Sequence, residues 1–282
     1  MPTTVIDGIA TRYETAGSGP PLLMFSPGGF DSTLEGWKSV GIYRRLGLLD
    51  RLTEQYTCIT FDRRESGLSG GRVERISWAD YVAQGVGLLD HLDIPRAHLM
   101  GGCVGCSTAV ALGVAHPDRV LSMVLYSPAG GVKYRMKQRA RFVQHLDYAR
   151  TYGLEQVVSL VRESDAGFTA DPRVGPWVSA IRNDEAFARR YAGADVDRYL
   201  TTVSGMARLL FDRDTVPGAE PEDLLGLDIP ALVVPGEDDS HAPSAARYLQ
   251  ECLPLAQYWD MPVAEQTDST APARVLRFLG GA

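Results

Sequence analysis

The stretch Ala97-His98-Leu99-Met100-Gly101-Gly102-Cys103-Val104-Gly105-Cys106-Ser107 decides the fold of this chain. It begins as a short apolar run, and the residues that follow it, Thr108-Ala109-Val110-Ala111-Leu112, are typical of a helix. Gly101 and Gly105 flank Cys103 and lack a β-carbon, so a strand and a helix can close around the residue between them. We therefore predict a strand, a tight strained bend and a helix, with the Cys103 thiol at the apex.

The spacing Gly101-x-Cys103-x-Gly105 matches a nucleophile elbow in which cysteine takes the place of the usual serine. A helix N-terminus favours negative charge and lowers the pKa of a thiol placed there, so Cys103 is the candidate nucleophile. One alternative is an inert buried cysteine. Another is the Cys-x-x-Cys pair of Cys103 and Cys106, which is typical of a redox site or a regulatory disulfide. No second pair of ligands accompanies them, so we do not expect zinc.

The rest of the chain alternates between apolar runs and helical segments. The runs lack strict alternation, which indicates strands covered on both faces of a mainly parallel, doubly wound α/β sheet. The predicted strands are 21–26, 56–61, 120–126 and 231–234, and the predicted helices are 78–92, 103–115, 245–252 and 273–279. In such a sheet the ligand site lies beyond the carboxyl ends of the strands.

Residues 131–222 lack strand-like runs and are dominated by helix-forming residues. We predict a helical cap inserted into a core domain formed by residues 1–130 and 223–282. Extra structural helices with no contact to substrate are the alternative.

Composition and charge exclude several classes of protein. A net charge of −7 argues against a nucleic-acid binder, and no apolar run reaches the length that spans a bilayer. The N-terminus lacks the pattern of a signal peptide, and four cysteines without framework spacing suit a reducing compartment, so we expect a cytoplasmic protein. No phosphate loop or dinucleotide fingerprint occurs, so we expect no metal and no organic cofactor. The expected partner is a small-molecule substrate, and homodimer formation is left open.

Four further strings give the chain its resemblance to the α/β-hydrolase fold superfamily. Each is weak by itself, but their order and spacing are specific, and the likeness runs over most of the chain. They are Ile6-Asp7-Gly8 to Pro20, which is similar to the first hairpin; 61–69, which resembles the D-x-R-G-x-G-x-S loop; 115–120, after the elbow helix; and 234–239, which resembles the strand leading to the triad acid. The resemblance implies the α/β-hydrolase fold and nucleophilic catalysis from Cys103.

The resemblance also implies an oxyanion hole and a triad acid. The expected oxyanion donors are the backbone N–H groups of Val104 and of Gly29, in the turn after the third strand. The expected acid is Asp239, with Asp238 as the fallback. An ordinary turn glycine and a turn aspartate are the alternative interpretations.

The base departs from the family pattern. The family has a histidine after the last strand, but residues 261–268 contain none, and Glu265 lies about where it is expected. His241, close behind Asp239, is the best-placed proton shuttle, and His145 in the cap could also reach the pocket. A cysteine of depressed pKa depends less on an adjacent base than serine does, so such a departure is chemically permitted.

Three further features complete the predicted site. Glu65 replaces a glycine of the resembling loop and could govern the protonation of Cys103 or activate water, unless it merely pairs with Arg63 or Arg64. The basic run Lys133 to Arg141 is either a solvated face or a means of attracting an anionic substrate. Core packing and a pocket wall are equally consistent with the apolar residues Phe30, Tyr134, Met136, Phe142, Phe168 and Trp177.

These features predict a hydrolase that uses a cysteine nucleophile on a carbonyl substrate, through an acyl-enzyme. The bond cleaved is an ester, lactone, thioester or carbon–carbon bond. The alternatives are an acyltransferase or lyase on the same scaffold, and a ligand-binding protein without catalysis.

Overall fold

The computed structural model describes residues 2–281. Its strands are β1 (Thr3–Ile6), β2 (Ile9–Ala16), β3 (Pro21–Phe25), β4 (Thr57–Phe61), β5 (Ala97–Gly102), β6 (Val120–Tyr126), β7 (Ala231–Val234) and β8 (Ala256–Tyr258). They form one sheet in the order β1-β2-β4-β3-β5-β6-β7-β8. β1 pairs antiparallel with β2, and β2 with β4, while all later pairs in the sheet are parallel. The predicted α/β fold with a mainly parallel sheet is confirmed.

Helices cover both faces of this sheet. They are α1 (Gly36–Ser39), α2 (Gly41–Leu46), α3 (Leu48–Leu52), α4 (Trp78–His91), α5 (Gly105–Ala115), α6 (Val132–Glu163), α7 (Val178–Asn183), α8 (Glu185–Ala192), α9 (Val196–Leu210), α10 (Pro221–Leu225), α11 (Pro243–Cys252) and α12 (Thr270–Leu279). Neighbouring strand residues point to opposite faces, so Leu99 of β5 joins one buried cluster and Met100 joins another. Both are fully buried, which explains the continuous apolar runs of the central strands.

The elbow helix begins two residues later than predicted. Cys103 has φ 56°, a left-handed conformation that cannot belong to an α-helix, and α5 begins at Gly105. The bend therefore lies outside the helix and holds Cys103 against its first turn.

The long helical segment lies between β6 and β7, and we call residues 131–222 the insertion. Its first helix, α6, is interrupted at Gly153, where φ is 82°. The apolar cluster of the insertion includes Phe30, Tyr81 and Val104, which follow strands or begin helices of the sheet region, so the insertion packs over the elbow. The assignment of residues 131–222 as a separate substrate cap stays a prediction. Within residues 2–281, no helix is both long enough and apolar enough to cross a membrane.

Candidate active site

The elbow depends on two glycines with no room for a side chain. A β-carbon on Gly105 would lie 2.1 Å from the carbonyl oxygen of Phe25, and one on Gly101 would lie 2.5 Å from the amide nitrogen of Cys106. Both contacts are with backbone atoms, which cannot move aside without displacing a strand or a helix. The strand and the helix therefore close as tightly as the sequence predicts, and Cys103 takes the strained left-handed conformation between them.

We expect Gly105→Ala to destabilise the protein by about 3 kcal/mol, because the methyl group would overlap the backbone of β3. Gly226→Ala is the matched control, since its nearest neighbour would be an ordinary contact at 3.7 Å. Chemical unfolding followed by circular dichroism measures both. Equal stability of the two variants would contradict the packing of the elbow.

The Cys103 thiol lies among groups that favour its ionised form. Burial raises the pKa of the thiol, but the imidazole of His241 and the backbone N–H groups of Val104 and Gly28 act in the opposite direction. The second effect is larger, so the pKa of Cys103 is lowered. The N-terminus of α5 adds a favourable dipole at the same place. This environment favours the thiolate form of Cys103, and its role as the nucleophile stays a prediction.

His241 links the thiol to a carboxylate. Its Nδ1 donates to both carboxylate oxygens of Asp238, at 2.9 Å each. Nε2 is buried and makes no hydrogen bond within residues 2–281, and the Cys103 thiol acts on the imidazole from nearby. Burial lowers the pKa of His241, but Cys103 and Asp238 outweigh burial and raise it to about 9. The geometry therefore aligns a thiol, an imidazole and a carboxylate.

The loop after β7 places this histidine. Oδ1 of Asp238 accepts the backbone N–H groups of Ser240, at 2.7 Å, and of His241, at 3.1 Å, which makes a tight Asx-type turn. The next segment pairs with the chain after β6, because the Gly130 N–H donates to the carbonyl of Ser240 at 3.0 Å. Gly236 has no side chain, and a β-carbon there would lie 2.4 Å from that of His241. A short turn therefore brings His241 back over the end of the sheet.

Asp239 is placed differently from the prediction. Its carboxylate binds Lys133 at 2.8 Å and Lys137 at 3.1 Å on α6, and these lysines lower its pKa. The carboxylate that contacts His241 is that of Asp238, the fallback. The reason is the i to i+3 spacing, which lets Asp238 close a turn onto His241 while Asp239 points outward to α6. The insertion's basic run is thereby partly neutralised, and Arg135 also pairs with Asp214.

We expect Asp238→Asn to lower kcat/KM by about tenfold to a hundredfold, because it removes the charge that orients and stabilises the imidazolium. Asp239→Asn, one residue away, should change kcat/KM less than about threefold, since it only breaks exposed ion pairs. Steady-state kinetics on any aryl ester that the wild type hydrolyses compares the two. The reverse ranking would return the acid role to Asp239.

The turn after β3 also lies beside the thiol. The backbone N–H groups of Gly28, in this turn, and of Val104, after Cys103, both lower the pKa of the thiol. Gly28 has φ 122°, and a β-carbon there would lie 2.7 Å from the carbonyl oxygen of Asp31. Gly29 begins a short 3₁₀ turn. The oxyanion-donor roles predicted for Val104 and Gly29 stay predictions, and Gly28 is the residue of this turn that acts on the thiol.

Glu65 is bound to Arg64, one of the two arginines named as alternative partners, and its role toward Cys103 stays a prediction. Nε of Arg64 donates to its Oε1 at 3.0 Å, and its side chain lies beside Gly71. Burial raises the pKa of Glu65 to about 7, against the opposing effect of Arg64 and Arg63. The left-handed backbone at Glu65, with φ 68°, turns the carboxylate into this network.

A comparison with known proteins assigns the family. The family model described as the alpha/beta hydrolase fold matches residues 21–264. This chain belongs to the alpha/beta hydrolase fold family.

Curated relatives of this alpha/beta hydrolase match parts of it. It is 33% identical over 125 residues to the dihydrolipoyllysine-residue acetyltransferase component of the acetoin cleaving system of Cupriavidus necator, covering 44% of this chain and 31% of that protein. It is 32% identical over 128 residues to the 2-hydroxymuconate semialdehyde hydrolase of a Pseudomonas species, covering 44% of this chain and 41% of that protein. The alignments thus span less than half of the length of either relative.

Solved structures extend the similarity over the whole chain. The enol-lactonase from Burkholderia xenovorans superposes with a TM-score of 0.64 at 21% identity, covering 99% of this chain and 100% of that one. A match of this kind shows a shared fold.

The region where this alpha/beta hydrolase lacks the family's histidine has a structural role. Glu265 is exposed, and the next residue, Gln266, is fully buried. The hydroxyl of Tyr126 donates to Oε1 of Gln266, while Nε2 of Gln266 donates to the carbonyl of Met261 at 2.9 Å. The loop after β8 is therefore held by an amide, and the histidine that contacts Cys103 comes from the loop after β7.

His145 does not reach the site. Its ring hydrogen-bonds with the Tyr199 hydroxyl at 2.5 Å and with the carbonyl of Arg173 at 3.1 Å, inside the insertion. Burial lowers its pKa to about 4. The sequence-based suggestion that it could enter the pocket is therefore corrected: the kinked α6 turns this face into the insertion's own core.

Cys106 faces away from Cys103. Its thiol donates to the carbonyl of Gly101 at 3.1 Å, both thiols are free, and burial raises the pKa of Cys106 well above its ordinary value. A redox pair needs two thiols that can meet, and this geometry turns them in different directions. Among residues 2–281, no group of three or more His, Cys, Asp or Glu side chains could hold a metal ion.

Aromatic rings cover the elbow. Phe30, Phe142 and Phe168 pack edge to face with centroids 5.1–5.5 Å apart, and Cys103 packs against the same cluster. The ring of Tyr134 packs against that of Phe211, with the two centroids 5.9 Å apart. Trp177 belongs to this apolar cluster, and its Nε1 donates to the carbonyl of Arg72 at 2.7 Å. The side chain of Met136 is 66% exposed. The pocket role of Phe30, Tyr134, Phe142 and Trp177 stays a prediction.

Proposed function

We propose that this alpha/beta hydrolase cleaves a small-molecule carbonyl compound through a covalent thioester on Cys103. The observation that carries the proposal is the alignment of Cys103, His241 and Asp238 beside two converging backbone N–H groups. An ester, lactone, thioester or activated carbon–carbon bond fits this chemistry. The printed activity of the Pseudomonas relative, a semialdehyde hydrolase, is compatible with the same class.

The first half-reaction uses the thiolate and the imidazolium together. The thiolate of Cys103 attacks the carbonyl carbon, and the carbonyl electron pair moves to the oxygen. That oxyanion accepts the N–H groups of Val104 and Gly28, which already point at the place where the sulfur lies. The tetrahedral intermediate then collapses, and the leaving group departs with the proton of His241 Nε2. The products are an acylated Cys103 and a neutral imidazole.

The second half-reaction needs water and a base. The neutral imidazole of His241 takes a proton from water, the resulting hydroxide attacks the thioester carbon, and the Cys103 thiolate leaves. The carboxylic acid product and the thiolate–imidazolium pair result. Asp238 holds the Nδ1–H side of the ring throughout, so that Nε2 faces the reacting atoms.

The acyl-enzyme provides the direct test. We expect rapid mixing with p-nitrophenyl butyrate, followed by acid quench and intact-protein mass spectrometry, to show a mass increase equal to one butyryl group. Peptide mapping should place the group on Cys103. A wild-type protein that stays unmodified, and a thiol that also resists iodoacetamide at neutral pH, would instead support the ligand-binding alternative.

Acyl transfer is the second candidate. It shares the acylated Cys103 with hydrolysis and differs only in whether an alcohol or water accepts the acyl group, and the burial of Nε2 of His241 limits the access of either acceptor. Addition of a primary alcohol to the assay separates the two: transfer predicts that ester product increases at the expense of acid. Release of acid alone would leave hydrolysis.

A further inference from the structure

Arg63 is a buried cation close to the candidate nucleophile. It lies in the loop after β4, and only 8% of its surface is exposed. Its guanidinium packs over the ring of Tyr81, 4.3 Å from the centroid, and over that of Phe30, at 5.2 Å. Aromatic faces attract a cation but cannot accept its N–H groups as a carboxylate does. The stacking therefore positions the guanidinium while leaving its hydrogen-bonding edge free.

Two nitrogens of that edge have no hydrogen-bond partner in the part of the chain that the structure describes. Nε and Nη2 of Arg63 are both buried and make no hydrogen bond, and no carboxylate in residues 2–281 lies within 4 Å of the guanidinium. Glu65 acts on Arg63 electrostatically from a greater distance; its Oε1 accepts Arg64 at 3.0 Å, and its Oε2 makes no hydrogen bond. Two neutral donors nearby, the hydroxyls of Ser26 and Tyr81, are also buried without partners.

Such an arrangement is costly unless a ligand completes it. Arginine cannot lose its proton in a protein, and a buried charge without a partner destabilises the folded state. Three unpaired groups that all donate hydrogen bonds converge on one small region. Their common complement is an anion with several acceptor oxygens, and a carboxylate fits the fork of a guanidinium in two parallel bonds.

This region touches the catalytic elbow. Arg63, Ser26 and Tyr81 line one internal cavity of about 10 Å³ together with Val104 and Gly105. Val104 is also the residue whose N–H contacts the Cys103 sulfur. Cys103 and Arg63 both act electrostatically on the buried hydroxyl of Tyr134, so the thiol and the guanidinium lie near the same side chain. The cavity has room for one water-sized group, so an entering carboxylate must displace the side chains around it slightly.

We propose that Arg63, with Ser26 and Tyr81, binds a carboxylate of the substrate, so that the enzyme selects anionic carbonyl compounds. This specificity rests on the proposed function of Cys103. A molecule that carries a carboxylate at one end and a cleavable carbonyl further along would span from Arg63, past Val104, to the thiol.

Paired substrates test the site. The half-esters of the dicarboxylic acids from adipic to sebacic acid, each with one p-nitrophenyl group, are compared with the same compounds methylated at the free carboxylate. We expect the wild type to prefer the acidic member by about tenfold or more in kcat/KM at one chain length at least. Arg63→Met should lower kcat/KM by about tenfold to a hundredfold for the acid and by less than about threefold for its methyl ester.

Two further variants serve as controls. Arg63→Lys keeps the charge but not the fork, so it should recover part of the preference and shows that the site folds. Arg51→Met, a change on α3 that breaks an exposed ion pair with Glu54 outside the insertion, should leave the ratio of the two substrates unchanged. Equal rates for acid and methyl ester at every length, or equal losses on both in Arg63→Met, would overturn the carboxylate site.

A binding measurement separates this proposal from the proposed function. Calorimetry on Cys103→Ala with monomethyl adipate should show binding that Cys103→Ala combined with Arg63→Met loses. That result stands even if the wild type forms no acyl-enzyme, in which case the proposed function fails and the anion site remains. The opposite result is that the wild type forms the acyl-enzyme but Arg63→Met does not weaken binding of the monoester. That result would reject the anion site and would leave Cys103 as the nucleophile.

Discussion

Cys103→Ala is expected to lower kcat/KM by at least roughly a thousandfold, which is the scale of loss when a nucleophile is removed from a triad. The reason is that the thioester cannot form, while the donors of Gly28 and Val104 can stabilise only the slow direct attack of water. The rate of hydrolysis of p-nitrophenyl butyrate measures the loss of activity, and the mass of the quenched enzyme measures the loss of the thioester.

Cys106→Ala is the matched control for that prediction. Cys106 is three residues further along, in the first turn of α5, and its thiol donates to the carbonyl of Gly101 and not to the reacting atoms. We expect it to retain activity within about threefold, since loss of one buried neutral hydrogen bond weakens stability more than chemistry. Parallel loss of activity in both variants would point to a paired-thiol chemistry and contradict the single-nucleophile mechanism.

His241→Ala is expected to reduce kcat by roughly a hundredfold to ten-thousandfold, the range attributed to a positioned acid–base group. In the free enzyme the pKa of His241 is raised to about 9, so its imidazolium is present below that pH and is lost as pH rises through it. Protonation of the leaving group should therefore fail above about pH 9. The kcat/KM of the wild type for alkyl esters should have a falling limb there, and the variant should lack it.

Thiol alkylation checks the same ion pair without turnover. The lowered pKa of Cys103 keeps the wild-type thiol reactive toward iodoacetamide at neutral pH. In His241→Ala the stabilising cation is absent, so burial dominates and alkylation should become fast only at alkaline pH. His91→Ala, whose histidine contacts Tyr13 far from the elbow, is the control and should follow the wild type. An unchanged alkylation profile in His241→Ala would show that the imidazole does not set the state of the thiol.

The local sequence determined the elbow and most of the sheet. Gly101 and Gly105 identify the bend because the absence of a β-carbon is a property of the residue itself, and a contact at 2.1 Å from the Phe25 carbonyl shows how strictly it is needed. The strands Val120–Tyr126 and Ala231–Val234 lie where the apolar runs predicted them. A strand that is buried on both faces of the sheet needs a continuous run of apolar residues, so the apolar runs in the sequence mark these strands directly.

Two details of the site depended on the folded loops. Asp238 and Asp239 are equally plausible acids by position, and the Asx-type turn that closes Asp238 onto His241 decides between them. Gly28 and Gly29 differ by one residue, and the rotation of the turn after β3 decides which N–H points at Cys103. Each choice depends on backbone angles of a few residues, which composition and spacing constrain weakly.

Arg63 is a side chain whose environment the sequence does not reveal and the structure does. In the sequence it is one of two adjacent arginines in a loop, and nothing separates it from Arg64. In the structure Arg64 is bound by carboxylates, whereas Arg63 is buried against aromatic rings with its donors unpaired.

By itself, the sequence determined the nucleophile's position and the architecture around it, because tight bends and buried strands are specified by neighbouring residues. Only the tertiary structure decided which histidine, which carboxylate and which N–H group meet at that thiol. Those contacts join the ends of β3, β5 and β7, which are distant in the chain and come together only when the sheet has formed.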